Sequence, residues 1–246
     1  SGDPIIIDCI EFNERFRYAD VCADLAFLSM DLGAHGRPEY KERLLASYAR
    51  ESWDHDLYAL VDFYESYRAY VRAKVSAFSL ASSDLSFAAR EKLESEARRY
   101  LLLALAAERP ALDPPRLWAI GGLIASGKST VAEALGARLA APVIGSDETR
   151  KRLRGVESTT PLHHGAWQDA YEPDVTERVY AELLARARVV LESGRSVVLD
   201  ASFRSRSERE AARRLAASTE SAFTFVECRV PDAVARARLA ERARGA

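Results

Sequence analysis

Hydrophobic spacing divides the chain near its middle. Up to residue 108 the apolar positions recur at three- and four-residue intervals in four successive stretches, the pattern of amphipathic helices. The first runs from Asp20 to Leu32, with Asp20 as N-cap and Val21, Leu25 and Leu28 on one face. The second runs from Pro38, suited to a first helical turn, to Trp53. The third spans Leu57 to Phe78; its stripe of Leu57, Leu60, Val61, Tyr64, Tyr67, Val71, Val75 and Phe78 reads as core rather than as a ligand box. The fourth spans Leu85 to Glu108 and closes on Tyr100-Leu101-Leu102-Leu103-Ala104-Leu105. A β-branched run from Pro4 to Phe12 precedes them as a strand or hairpin.

Beyond residue 117 short apolar runs alternate with helical stretches. Strands are expected at Leu117–Gly121, Ala141–Ser146, within Ser196–Phe203 (an apolar strand ending in the aspartate Asp200) and at Ala222–Cys228. Helices are expected at Val131–Leu139, Thr149–Arg154, Asp174–Glu192 (closed by Gly194), Ser205–Ser218 and from Pro231 onward. That alternation predicts a parallel sheet with right-handed crossovers. Between the halves, Pro110, Pro114 and Pro115 stop the helix and hold the backbone extended. The expected fold class is α/β: a mostly helical unit over 1–108, a proline-rich linker over 109–116, and a parallel sheet flanked by helices over 117–246.

Composition narrows the function classes. With 48% hydrophobic and 29% charged residues the chain is an ordinary globular one, and a net charge of −2 excludes a broad nucleic-acid surface. Cys9, Cys22 and Cys228 lack metal spacing and read as reduced thiols of a cytoplasmic protein. No apolar run approaches the ~20 residues of a membrane span, and no export leader opens the chain. The start at Ser1 and the stop at Ala246, directly after an arginine-rich helix, read as cuts from a longer protein.

The chemistry concentrates where the second pattern begins. Gly122-Leu123-Ile124-Ala125-Ser126-Gly127-Lys128-Ser129 has the form G-x-x-x-x-G-K-S between a strand and a helix, followed by Thr130. Residues 122–130 would cradle the phosphates of ATP with backbone amides and a helix N-terminus. Lys128 would hold the β- and γ-phosphates, and the Ser129 hydroxyl a Mg²⁺. Asp200 ends an apolar strand and would stand on the metal side, or simply cap a strand end. Asp147 follows another strand at the edge where open α/β sheets bind ligands. With Arg150 three residues on, it could take a hydroxyl proton while the cation holds an anionic group; otherwise it N-caps the next helix. Arg238 and Arg242, one turn apart, could close over ATP, or belong with Arg204, Arg206, Arg209, Arg213 and Arg214 to solvated helix faces. The polar Gly155–Pro173 stretch reads as a substrate-covering loop, with His163 and His164 as solvated side chains rather than catalysts.

Two resemblances add to this reading. Ile5–Asn13, Arg17–Ala26 and the helix Tyr67–Lys74 resemble the C-terminal lobe of aminoglycoside phosphotransferase-like kinases. The resemblance implies that Asp8 matches a Mg²⁺-holding aspartate and Asp24 one that braces a catalytic loop. That family's His-Gly-Asp-x-His-x-x-Asn loop would lie upstream of Asp8, so Asp8 reads as a metal-ligand remnant or as a carboxylate ending a strand. Residues 117–246 are similar to phosphate-loop kinases grouped with zeta toxins, gluconate kinases and polynucleotide kinases, on Gly122–Thr130, Ser146-Asp147-x-x-Arg150, Val197–Phe203 and the last arginine helix. The resemblance implies that Asp147 is the base, that Arg150 orients the acceptor, and that a final strand and helix lie beyond Ala246. The succession of the two halves resembles the bacterial bifunctional aminoglycoside phosphotransferase/ATP-binding proteins. The function expected is ATP- and Mg²⁺-dependent phosphorylation of a small hydroxylated acceptor. The alternatives are an ATPase switch that signals to the first half, nucleotide as a structural ligand, and aminoglycoside phosphorylation in an intact parent protein. Oligomeric state is not legible.

Overall fold

A computed structural model describes residues 18–106, 114–156 and 173–245. The expected strand at Pro4–Phe12, Asp8, most of the proline linker and the loop bearing His163 and His164 lie outside the described residues.

The first half is helical, as its spacing predicts. Helix α1 (Val21–Ala34) starts at Asp20, whose carboxylate accepts the Cys22 N–H at 2.8 Å. Helices α2 (Pro38–Ser52), α3 (Leu57–Ser79) and α4 (Phe87–Ala106) follow. The inward faces, however, differ from those expected. On α1 the buried residues are Cys22, Ala23, Ala26, Ser29 and Met30, while Val21 and Leu28 are exposed. On α3 Tyr67, Val75 and Phe78 face outward, and Ala69, Ala73 and Ser76 are buried with Leu57, Tyr58 and Val61. The cause is the neighbours. Helix α3 packs against both α1 and α4, and Ala69 and Ala73 meet Met30 and Tyr100 in one cluster. Small side chains let the three helices approach closely, so the bulkier stripe turns outward.

In the second half, β1 (Arg116–Gly122), β2 (Val143–Gly145), β3 (Val197–Asp200) and β4 (Ala222–Cys228) form a wholly parallel sheet in the order β2-β3-β1-β4. Helices α5 (Lys128–Leu139), α6 (Ser146–Leu153), α7 (Pro173–Glu192), α8 (Arg206–Ser218) and α9 (Asp232–Gly245) connect and flank the strands. Strand β3 stops at Asp200, the aspartate expected to end it, and residues 201–205 are loop. Register aligns the strand tips. Ile120 and Gly145 both lie opposite Asp200, which sets the ends of β1, β2 and β3 along one edge.

One hydrophobic cluster crosses between the halves. Cys22, Leu45, Tyr58 and Val61 of the helical half join Leu117, Leu183, Val190 and Leu199 of the sheet half. Polar contacts fasten the same seam. Arg195 donates to Glu42 at 2.9 Å and to Asp62 at 2.7 Å. Arg186 donates to the Trp53 carbonyl at 2.8 Å, its guanidinium 4.6 Å from the Trp53 ring centre. At the seam a polar cavity of about 290 Å³ includes Lys41, Glu65 and Arg195 in its wall, and Glu65 accepts from both Ser29 and Lys41 at 2.5 Å.

Candidate active site

The site begins with backbone geometry. Leaving β1, Gly122 adopts φ 146°, and a Cβ there would lie 2.6 Å from both the Cys228 carbonyl oxygen and the Ser126 Oγ. The loop turns through Ala125 at φ 62° and reaches Gly127 at φ 87°, the N-cap of α5. These left-handed residues curl the amides of 123–127 around a concave turn, and Lys128 is the first residue of the helix. Neither Gly127 nor any other side chain caps that helix, so its N-terminal amides are available to an anion.

Asp200 stands at the tip of β3, one strand from the loop. Its Oδ1 is buried without a hydrogen-bond partner among the described residues. Burial raises the Asp200 carboxyl above the usual carboxylate range; the neighbouring Ser129 hydroxyl and the Lys128 ammonium pull it back, while Asp147 and Glu133 push it up. An orphaned carboxylate oxygen beside a serine hydroxyl is a hard-oxygen pair that fits Mg²⁺. No group of three or more His, Cys, Asp or Glu side chains stands ready for a metal among the described residues. The other ligands of a Mg²⁺ there would therefore be phosphate oxygens and water.

Asp147 is the second residue of α6, a helix that starts at Ser146 rather than at Thr149. The N-cap is Gly145, with no side-chain cap bond, so Asp147 does not cap the helix. Its side chain is 70% exposed and accepts from Arg150 at 3.0 Å, whereas the Arg150 side chain is only 6% exposed. A buried guanidinium thus steadies a solvent-facing carboxylate. Lys128, Asp147 and Arg150 share one cleft of about 640 Å³.

The terminal arginines divide differently from the expectation. Arg238 donates to the Ala125 carbonyl at 3.0 Å and is tied to the phosphate loop rather than standing over the cleft. The Arg242 side chain lies outside the described residues. Arg236 lines the cleft instead, together with Arg204 and Tyr180. Sequence reasoning passed over all three. Arg204 and Arg236 sit in arginine-rich stretches that read as solvated, and Tyr180 belongs to the apolar face of α7. Tyr180 accepts the Phe203 N–H at 2.9 Å and lies 3.3 Å from the Ser202 hydroxyl, bracing the loop after β3. On the helical half, Asp24 is 76% exposed and pairs with Arg68 at 3.5 Å, an ion pair at the surface of the described residues.

A central parallel strand running through a glycine-rich loop into a helix, with acids on the neighbouring strand tips, defines a phosphate-loop nucleotide-binding domain. Residues 117–246 match the family of that architecture described as AAA domain, and the chain belongs to it. Uncharacterized proteins of Mycobacterium tuberculosis and Mycobacterium bovis are 38% identical over 248 residues, covering 99% of this chain and 47% of their own length. The chain thus spans about half of those relatives. The structure of the Mycobacterium tuberculosis APS kinase in complex with AMPPNP and APS is 23% identical, with a TM-score of 0.42 over 56% of this chain and 76% of that one. Among the described residues no helix is long and apolar enough to cross a membrane.

Proposed function

We propose that the chain transfers the γ-phosphoryl group of ATP to a hydroxyl of a small molecule. One observation carries this reading: Asp147, free of capping duty and held by Arg150, faces the same cleft as Lys128. A protein that only bound nucleotide would have no use for an exposed carboxylate steadied by a buried cation at that position.

In this reading the amides of 122–130 and Lys128 hold the triphosphate, with Lys128 on the β- and γ-phosphates. Ser129 and Asp200 would hold a Mg²⁺, whose charge balances that of the phosphate oxygens. Asp147 accepts the acceptor's hydroxyl proton as that oxygen bonds to the γ-phosphorus. The bond from the γ-phosphorus to the bridging oxygen breaks, and ADP leaves. Arg150 keeps Asp147 aimed, and Arg236 on α9 faces the spreading phosphoryl charge. Catalysis of this kind is mostly positioning and electrostatics.

Labelled ATP with a panel of sugars, nucleosides and aminoglycosides tests the reading. Acceptor-dependent transfer should fall by roughly 10²-fold or more in Lys128→Ala. Asp147→Asn should slow transfer by about 10²-fold while leaving ATP affinity intact. ATP turnover that ignores every acceptor and persists in Asp147→Asn would identify an ATPase switch instead. For the first half we propose a phosphotransferase-like helical lobe, whose described residues 18–106 brace the sheet through the shared core. Aminoglycoside phosphorylation surviving Lys128→Ala would place activity in that half.

A further inference from the structure

The helix that carries the proposed base is short and depends on what packs against it. Helix α6 is eight residues long, and Gly145 before it supplies no side-chain cap. A helix of that length owes its orientation to its neighbours more than to its own hydrogen bonds. Its residues divide by face. Asp147 and Arg150 line the cleft. Arg152 turns instead to the helical half, its guanidinium 3.5 Å from the Glu51 carbonyl oxygen.

There Arg152 meets Trp53. This tryptophan closes α2 in a left-handed conformation, φ 63°, which bulky side chains rarely adopt. The turn around it is fixed. The Asp54 N–H donates to the Ser52 hydroxyl at 3.2 Å, and the Asp54 carboxylate accepts the Leu57 N–H at 3.3 Å. That turn sets the indole against two cations: its ring centre lies 5.9 Å from the Arg152 guanidinium carbon and 4.6 Å from that of Arg186. Both arginines have a buried Nε without a hydrogen-bond partner among the described residues, so the π face of the indole offsets the desolvation of their charge. A tryptophan serving only as core needs neither a strained turn nor a pair of cations.

The two cations belong to two walls of the cleft. Arg152 is on α6, which supplies Asp147 and Arg150, and Arg186 is on α7, which supplies Tyr180. Those helices pack against each other, and one side chain from the other half of the chain reaches both. We infer, resting on the kinase reading above, that Trp53 is a positioning residue for phosphoryl transfer: held between Arg152 and Arg186, it fixes the angle of α6 and so the place of the Asp147 carboxylate at the acceptor hydroxyl. The phosphate loop is set by β1 and α5, so placement of the base is separable from nucleotide binding. The helical half thereby acts on the reaction without touching a substrate, and a small tilt of α6 is enough to misplace the base.

Three variants test this: Trp53→Gly, whose backbone suits the left-handed turn; Trp53→Phe, which keeps an aromatic face; and Arg152→Gln, which leaves Trp53 and the core in place. Hydrogen exchange read by mass spectrometry should be about tenfold faster over residues 146–153 in Trp53→Gly and Arg152→Gln, and unchanged over residues 116–135. Trp53→Phe should restore most of the protection, and AMPPNP affinity should stay within about twofold of wild type in all three. In the labelled-ATP assay, kcat should fall about tenfold in Trp53→Gly and Arg152→Gln with the ATP KM unchanged. If Trp53→Gly fails to fold, Arg152→Gln decides. Wild-type exchange over α6 in that variant overturns the inference, and so does a loss of protection and AMPPNP affinity spread over the whole sheet. A loosened α6 with an unchanged kcat also overturns it and leaves the kinase standing. ATP turnover unaffected by Asp147→Asn removes the kinase reading, and the positioning role with it, whatever the exchange over α6.

Discussion

Acidification should loosen the seam between the halves through His55. This imidazole is 1% exposed, and neither ring nitrogen has a hydrogen-bond partner among the described residues. It sits edge-on to Trp53 with ring centres 5.2 Å apart, and Trp53 carries the Arg186 guanidinium. Burial pushes the His55 imidazolium down to about 4 from 6.5, and Arg186 adds to the effect; the Trp53 backbone and Asp56 oppose it. The folded state therefore binds this proton less readily than the unfolded state. Stability from the neutral ring is fully present above pH 6.5, and it is lost as pH falls toward 4. The full loss amounts to about 3 kcal/mol, a large share of a typical 5–15 kcal/mol. Glu65 acts with the opposite sign, since burial raises its carboxyl despite Lys41 and Ser29, so its contribution grows on acidification. The assay is therefore a difference. Urea unfolding of wild type and His55→Leu would be measured at steps from pH 8 to pH 4.5. The wild type should lose roughly 2 kcal/mol more than the variant over that range. Parallel pH profiles would refute the reasoning, because Glu65 and every other titrating group is common to both proteins.

Gly122→Ala should abolish nucleotide binding and cost on the order of 2 kcal/mol in urea unfolding, since the new Cβ meets a backbone oxygen that cannot swing aside and the residue keeps its positive φ. Native-like stability with intact AMPPNP affinity would mean that the loop tolerates another path. Tyr180→Phe should cost about 1–2 kcal/mol in urea unfolding by orphaning the Phe203 N–H, and it should weaken activity through the loosened turn after β3. Unfolding unchanged in the variant would mean that the Phe203 N–H finds another acceptor.

Much of the second half is legible without coordinates because its signals are local. A glycine that must adopt positive φ, a lysine opening a helix and an acid ending an apolar run are properties of a few adjacent residues. Strand alternation with helices likewise dictates a parallel sheet and sends its active edge to the carboxyl ends of the strands. That is why Lys128, Asp147 and Asp200 could be named, and why they stand along one edge. The helices of the first half were equally visible from their period.

Tertiary structure decided what depends on neighbours. A helix carrying two overlapping stripes can bury either one. On α3 the alanine face won because α1 and α4 press on it from both sides, leaving Phe78 and Tyr67 outside. Whether Asp147 caps or faces the cleft turned on where α6 begins, a shift of a few residues that places Gly145 at the cap. Among the arginines, charge and spacing are degenerate. Only packing shows Arg238 bound to the phosphate loop, and Arg204 and Arg236 lining the cleft. Period and backbone chemistry are written in the chain itself, whereas the choice of face, cap and partner is settled when distant surfaces compete for the same side chains.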